Sequence, residues 1–150
     1  MNQWTDKLAL ISITLWVGGL WAVGYVAAPV LFYHLPDRQL AGMLAGEMFT
    51  IVAYIGMVCG VYLLLNRVMK FGGSALKQAF FWAGFVMLVL TLVGHFGIAV
   101  IIAKLKADAL PLDVMHSVFA DRFETWHGVA SIAYAIQSLL GLVLVLKATR

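Results

Sequence analysis

The chain has 150 residues, of which 63% are hydrophobic and only 11% are charged, whereas an average soluble domain is about 25% charged. Ten Lys and Arg residues against seven Asp and Glu residues give a net charge of +3, with no long basic run that would bind nucleic acid. Together with a mean hydropathy of +0.97, this composition excludes a disordered chain, a soluble globular domain and a nucleic-acid binder. It indicates an integral membrane protein.

Four stretches of the chain contain no Asp, Glu, Lys or Arg, at residues 8–36, 48–66, 78–103 and 125–146. Each is close to or longer than the ~20 apolar residues that a helix needs to cross ~30 Å of hydrocarbon. Because the backbone in lipid must satisfy its own hydrogen bonds, long apolar runs favour helices over barrel strands. We therefore predict an all-α fold, a single domain that is a four-helix transmembrane bundle, with helices at about 7–33, 41–66, 74–103 and 122–146.

Three further expectations concern the ends of these helices and the connections between them. We expect the first helix to be retained, because its apolar run exceeds the about 7–15 residues of a signal peptide, and we expect Pro29 to kink its last third. Ser74 is expected to cap the third helix. The longest connection spans residues 104–121, and either a short interfacial helical turn or a plain polar cap would fit it.

Lys and Arg residues are distributed unequally between the two sides of the predicted bundle. The side with both termini carries six of them: Lys7, Arg67, Lys70, Lys77, Lys147 and Arg150. The other side carries four: Arg38, Lys104, Lys106 and Arg122. Because Lys-rich and Arg-rich loops stay in the cytoplasm, we expect both termini in the cytoplasm and the 104–121 connection outside.

Small residues are expected to form the helix contacts, since lipid does not push helices together and close backbone approach matters. Two Gly-x-x-x-Gly motifs lie in the second helix, and further small or special residues lie in the first and last. The expected packing positions are Gly18, Gly19, Pro29, Gly42, Gly46, Gly56, Gly60, Ser131 and Ser138. These faces could look inward or toward a second protomer. Cys59 is the single cysteine, which excludes an intrachain disulfide, and we expect it to be a packed thiol.

Ionisable groups inside membrane spans are costly and are therefore the first candidates for function. At ~1.5 Å per residue, Glu47, His95 and His127 lie about 13, 13 and 7 Å inside the outer boundary, and His34 ends the first helix on the same side. All the histidines and this carboxylate thus fall in the outer half. Three chemistries fit them: a transition-metal site, a haem between His95 and His127, and a proton or ion relay. Copper could gain soft ligands from Met43, Met48 and Met115.

The same residues also have structural interpretations. His127 has Ser131 one turn away and could hydrogen-bond to it, and Glu47 could pair with Arg38. No Ser/His/Asp arrangement indicates hydrolysis. We therefore expect a non-enzymatic protein, with the four candidates His34, Glu47, His95 and His127 as its ligand or metal residues.

Several blocks of sequence carry a family resemblance. They are LWVGGLW at 15–21, GYVAAPVLF at 24–32, DRxLAGxLAGxMF at 37–49, RFxxxHGVxS at 122–131 and QSLLG at 137–141. In these blocks, and over nearly the whole chain, the sequence resembles an uncharacterised bacterial membrane family, domain-of-unknown-function family 4149, which is related to eukaryotic transmembrane protein 205. The resemblance implies a four-helix inner-membrane protein without an established activity. It points to His127, which matches the family's histidine in the last helix, whereas Glu47 falls between matched residues.

The first helix also resembles, more weakly, the four-helix protoporphyrinogen oxidase family and the copper-resistance D family. In the former, an early histidine and a basic residue after the proline are present, where this chain has Ser12 and Val30. The leading interpretation is thus an inner-membrane protein whose outer half binds a metal or small ligand. The alternatives are a haem- or copper-associated oxidoreductase, with haem b or a transition metal as cofactor, and a membrane scaffold. The expected partners are the lipid bilayer and a second copy or another membrane protein.

Overall fold

The computed structural model describes residues 3–148, so Arg150, which contributes to the charge count above, lies outside them. Its four long helices are apolar enough to span a membrane. They are α1 (Gln3–His34), α2 (Arg38–Phe71), α3 (Ala79–Ala109) and α4 (Ala120–Lys147). Each helix packs against the next, and α1 also packs against α4, which closes the bundle. Residues 3–148 contain no strand, and the predicted all-α membrane bundle is confirmed.

The bundle has two distinct ends. The terminal end carries residue Gln3, the 3-10 turn at Gly72–Lys77 and residue Lys147. The loop end carries the connections 35–37 and 110–119. The distribution of Lys and Arg residues predicts that the loop end lies outside the cell.

Several helix boundaries differ from the prediction because the uncharged runs do not mark helix ends. Helix α2 begins at Arg38 rather than residue 41, since the Asp37 carboxylate accepts hydrogen bonds from the first backbone N–H groups. Helix α3 continues through two lysines to Ala109, because lysine is a good helix former whose charge can reach a polar region. The following connection is therefore shorter than predicted and contains the 3-10 turn Val114–His116.

Ser74 does not cap α3, contrary to the prediction. It lies inside the 3-10 turn, where its hydroxyl donates to the carbonyl of Phe71 at 2.6 Å. The turn begins at Gly72, whose φ of +54° lies in the left-handed region that favours glycine. The chain thus leaves α2 through a glycine cap, and α3 begins only at Ala79.

Helices α1 and α3 each contain one π-helical turn in their second half. In α1 it covers Val23–Ala27, and in α3 it covers Gly94–Ile98. Such turns hold one residue more than an α-turn and are common at functional sites and at bends. Pro29, the expected kink position, lies two residues after the end of the first of them. The wider turn suits a proline, which has no N–H and whose ring crowds the preceding turn.

The main hydrophobic core lies in the terminal half of the bundle. Trp16 of α1 is at its centre and is only 1% exposed. Its indole lies on Gly56 and Gly60 of α2, so that a side chain at Gly60 would come within 2.9 Å of the ring. Cys59, between these glycines, is a buried free thiol. The other buried members are Ile13, Val17, Leu63, Phe80, Ala83, Met87 and Leu144.

The loop half is packed as two separate hairpins. The end of α1, Ala28–His34, packs against α2, whereas the end of α3, Ala99–Ala109, packs against α4 and the connection that precedes it. None of the residues 120–136 of α4 is buried. The backbone contacts of this half therefore lie mainly within the α1–α2 hairpin and within the α3–α4 hairpin, and we call the space between the two hairpins the loop-half cleft.

Candidate functional site

The predicted ligand His95 lies in the π turn of α3. Its imidazole is half-buried and packs edge-on against Tyr54 of α2 and Phe96, with ring centres 4.9 and 4.8 Å apart. The π turn explains this placement, since its extra residue changes the direction in which His95 leaves the helix. The imidazole is held mainly by aromatic contacts.

The other three predicted ligands lie on the surface of the chain. His127 is exposed and stacks on Phe123, with ring centres 5.6 Å apart. His34 is exposed beside Tyr33 at the loop end. Glu47 is exposed as well, on the side of α2 opposite its buried face. Glu47 therefore does not point into the interior of the bundle.

The structural interpretations of these residues are not supported either. The ion pair present within residues 3–148 is Lys70–Asp6, so Glu47 is not paired with Arg38. Ser131 donates to the backbone carbonyl of His127 and not to its imidazole. Within the same residues, no group of three or more His, Cys, Asp and Glu side chains is placed to hold a metal ion.

The expected packing positions differ in their surroundings. In the terminal half, Gly56 and Gly60 meet Trp16. Toward the loop end, Gly19 faces Val52 at 3.8 Å, and Gly18 and Gly46 meet nothing within 4 Å. Ser138 is buried, whereas Ser131 and Pro29 are exposed.

A set of polar side chains on α4 links this helix to α1 and α3 next to the main core, on the side of the loop end. The Tyr25 hydroxyl donates to the Ser138 hydroxyl at 2.8 Å, and the Tyr134 hydroxyl donates to the carbonyl of Leu20. The Tyr134 ring also covers Gly24, inside the π turn of α1, where a side chain would collide with it. These contacts join the widened turn of α1 to α4 by hydrogen bonds and by aromatic packing.

A second polar link joins α4 to α3. The Gln137 amide, which is buried, donates to the Thr91 hydroxyl at 2.8 Å and to the carbonyl of Met87 at 3.0 Å. Sequence reasoning missed Gln137 and Thr91 as partners, although two polar residues in long apolar runs are a signal that they need each other. The loop-half cleft lies between this polar layer and the loop end.

Lys106 of α3 reaches across the loop-half cleft. Its side chain is half-buried, and its Nζ lies 3.5 Å from the carbonyl oxygen of Gly42 on α2 and 5.8 Å from the centre of the Phe123 ring on α4. Gly42 permits this approach, because a side chain there would come within 3.3 Å of the ammonium nitrogen. Phe32 of α1 lies on the same glycine. The ammonium group of Lys106, on α3, thus lies between α2 and α4.

No carboxylate oxygen lies within 4 Å of the Lys106 Nζ among the described residues, and Asp113 in the loop-end connection interacts with its charge from a greater distance. An ammonium group has three donors, and the contact to Gly42 is long for a hydrogen bond. In the sequence, Lys106 served only as one of the positive charges that indicate topology. The charge count did not reveal that Lys106 lies inside helix α3, which continues beyond it to Ala109.

The mouth of the loop-half cleft is formed by the two loop-end connections. A cavity of about 580 Å³ lies between them, lined by Arg38 and His116 together with Asp37 and Asp113. Both aspartates already accept hydrogen bonds from backbone N–H groups at the start of helical turns. The mouth is therefore polar and open, and Lys106 lies on the helix that leads from it into the bundle.

Comparison with known proteins identifies a family whose function is unknown. A model for a domain of unknown function, DUF4149, matches residues 11–110. This match covers α1 from residue 11 onward and the whole of α2 and α3, and it ends before α4, so His127 lies outside it. No curated protein and no solved structure matches the chain. The chain belongs to the DUF4149 family of proteins with an unknown function.

Proposed function

We propose that this protein is a multi-pass protein of the bacterial inner membrane and that it binds the anionic head of an amphiphilic ligand in the loop-half cleft. The observation that carries the proposal is the half-buried ammonium group of Lys106, which lies between two hairpins without a carboxylate partner among the described residues. A charge in a membrane-spanning helix that lacks an ion-pair partner is costly and is a candidate for function. A bound carboxylate or phosphate would neutralise it.

The surroundings of Lys106 favour an amphiphile over a free inorganic ion. Phe32 and Phe123 flank the ammonium group with apolar surface, while the mouth of the cleft offers Arg38 and His116. The exposed helix faces next to the cleft are apolar, as lipid-facing surfaces are. The acyl chain of an amphiphilic ligand would lie along the apolar surface, and its acidic head would meet the positively charged side chains.

A metal or haem centre made from His34, Glu47, His95 and His127 has less support. His95 packs against Tyr54, whereas His127 stacks on Phe123 and is exposed. These side chains share no partner among the described residues. An anionic ligand at Lys106 requires no such convergence, which is why we favour it.

The proposal is tested by equilibrium binding of a fluorescent fatty acid, cis-parinaric acid, to the full chain in nanodiscs of zwitterionic lipid. Its methyl ester is the uncharged control ligand. Hydrogen bonds to charged groups are worth about 1.5–3 kcal/mol, so Lys106→Met should weaken binding of the acid by about tenfold or more. Binding of the ester should change little.

The matched control variant is Lys104→Met, since Lys104 is an exposed lysine two residues away on the same helix. It should leave the affinity for the acid unchanged. Lys106→Arg should retain most of it. Equal binding of acid and ester to the unaltered protein, or equal loss in both methionine variants, would refute the proposal.

The proposed orientation places the terminal end in the cytoplasm and the cleft outside. The larger number of Lys and Arg residues at the terminal end supports it. Fusions of alkaline phosphatase and of green fluorescent protein to the C-terminus test it. Fluorescence without phosphatase activity is expected, and the reverse result would invert the topology.

A further inference from the structure

The side chain of His127 faces the loop-half cleft. It lies on one stripe of α4 with Phe123, Tyr134 and Ser138, since these four residues are spaced by four, seven and four positions. Ser138 is buried, and its hydroxyl accepts a hydrogen bond from Tyr25 of α1. The stripe is therefore the inner face of α4, and the exposed surface of His127 lines the cleft.

An aromatic pair closes the end of the cleft that lies toward the main core. Phe49 of α2 packs edge-on against Tyr134, with ring centres 5.3 Å apart, and this contact joins the two hairpins. The Tyr134 ring is in turn held over Gly24 of α1. The cleft therefore extends from Lys106, near the loop end, to the Phe49–Tyr134 pair, and His127 lies between these two levels.

The imidazole of His127 is held by the same aromatic ring that flanks Lys106. It stacks on Phe123 with ring centres 5.6 Å apart and 12° between the ring planes, and the Lys106 Nζ lies 5.8 Å from the centre of the Phe123 ring. Stacking orients the imidazole but uses neither of its nitrogen atoms. Among the described residues, no group forms a hydrogen bond with this imidazole. A neutral imidazole therefore offers one donor and one acceptor to a ligand in the cleft.

We propose that His127 forms a hydrogen bond with a hydroxyl group on the ligand whose acidic head lies at Lys106, so that the ligand is a hydroxylated amphiphilic acid. This inference rests on the proposed function and names the class of ligand more closely. A hydroxyl group matches the imidazole because it can accept from the N–H and donate to the other nitrogen. A second acidic group matches it less well, since another uncompensated charge within the membrane span would be costly.

The spacing along α4 determines where the hydroxyl group lies on the ligand. His127 is four residues after Phe123 and therefore lies about 6 Å deeper in the cleft. An extended carbon chain advances about 1.3 Å per carbon, because its C–C bonds are about 1.5 Å long and follow a zigzag. With the acidic head at the level of Phe123, the hydroxyl group lies about five carbons from the head.

The experiment uses decanoic, 5-hydroxydecanoic and 10-hydroxydecanoic acids as competitors of cis-parinaric acid on the full chain in nanodiscs of zwitterionic lipid. Each acid is compared between the unaltered protein and His127→Phe, so that its partition into the lipid cancels. We expect His127→Phe to weaken binding of 5-hydroxydecanoic acid by about threefold to tenfold, the range of one net hydrogen bond. Binding of the other two acids should stay the same, because phenylalanine retains the stacking on Phe123.

Two further variants serve as controls. His127→Gln keeps a donor and an acceptor and should retain part of the affinity for 5-hydroxydecanoic acid. His34→Phe is the matched control, since His34 is an exposed histidine two residues after Phe32 and so lies on another side of α1. It should leave all three affinities unchanged. Unchanged binding of decanoic acid to His127→Phe shows that this variant is folded.

The unaltered protein provides a test that needs no variant, because the two hydroxydecanoic acids are isomers. It should bind 5-hydroxydecanoic acid more tightly than 10-hydroxydecanoic acid. Equal affinities for the isomers, or a preference that persists in His127→Phe, would overturn the inference. If decanoic acid binds and Lys106→Met weakens it while the isomers bind equally, the proposed function stands and this inference alone fails. If none of the three acids binds, the proposed function fails and the inference fails with it.

Discussion

The two halves of this bundle use the same sequence motif with opposite results. In the terminal half, Gly56 and Gly60 of α2 receive the indole of Trp16, and the helices meet around it. In the loop half, the equivalent pair is Gly42 and Gly46, of which Gly46 meets nothing within 4 Å. The first motif packs against a core side chain, whereas the second lies beside the loop-half cleft.

The difference shows that small residues permit helix contact but do not cause it. In lipid, helices associate through packing and hydrogen bonds rather than through a hydrophobic driving force. Trp16 supplies a large surface that fills the space above its glycines. No comparable side chain fills the space at Gly46, and the polar lysine Lys106 reaches Gly42 instead. The four predictions below test this contrast between a closed and an open half, from the largest expected effect to the smallest.

Removing the indole should damage the terminal half most. We expect Trp16→Ala to lower the free energy of unfolding by about 3–5 kcal/mol, because a fully buried tryptophan leaves a cavity that its neighbours cannot fill. Unfolding in sodium dodecyl sulfate, followed by circular dichroism, measures it. Trp4→Ala is the control, since Trp4 is 71% exposed. A similar loss in both variants would mean that the core is not centred on Trp16.

Adding a side chain should affect the two glycine motifs differently. Gly60→Val should cost about 1–3 kcal/mol through overpacking against Trp16 and Leu88. Gly46→Val should be tolerated, since no atom lies within 4 Å of its side-chain position. The same unfolding measurement compares them. If Gly46→Val were the more destabilising variant, the loop half would be closed by a contact that the chain alone does not make.

The polar link between α3 and α4 should contribute less than the core. Interhelical hydrogen bonds in membrane proteins average about 0.6 kcal/mol. We expect Gln137→Leu and Thr91→Val to show a coupling of that order in a double-mutant cycle, because their side chains bond to each other. A coupling of zero would show that Gln137 acts through the Met87 carbonyl alone.

The exposed candidate ligands should matter least to stability. His127→Ala and Glu47→Gln should each change the free energy of unfolding by less than about 0.5 kcal/mol, as is usual for surface positions. Visible absorption and elemental analysis of the same purified variants report any bound haem or metal. A Soret band or stoichiometric metal that disappears in His127→Ala would revive the cofactor interpretation and contradict the surface role.

The sequence predicted the four helices well because lipid imposes a simple rule of length and polarity. It failed at helix boundaries, because the rule of length and polarity does not determine where a helix begins or ends. Asp37 starts α2 early by capping it, and Lys104 and Lys106 continue α3 past the apolar run. Cap chemistry at Asp37 was readable in the sequence. The continuation through the lysines was not, because snorkelling lets a helix carry charge near a membrane surface.

The candidate sites were predicted less well, since depth along a helix is readable but direction around it is not. His95 and Glu47 were correctly placed in the half that contains the loop end. However, the π turns Val23–Ala27 and Gly94–Ile98 change the direction of residues that follow them. No local sequence pattern predicted these π turns. The ion pair between Asp6 and Lys70 likewise joins residues about sixty positions apart.

By itself, the sequence determined that this chain is an all-α membrane protein with four spans, because unsatisfied backbone and charge are too costly in hydrocarbon to allow another solution. The tertiary structure decided which half of the bundle closes and where the charges meet. Those outcomes depend on how Trp16 and its glycines fit together and on how Lys106 is surrounded. Such contacts join distant parts of the chain, and no local rule of composition or spacing fixes them.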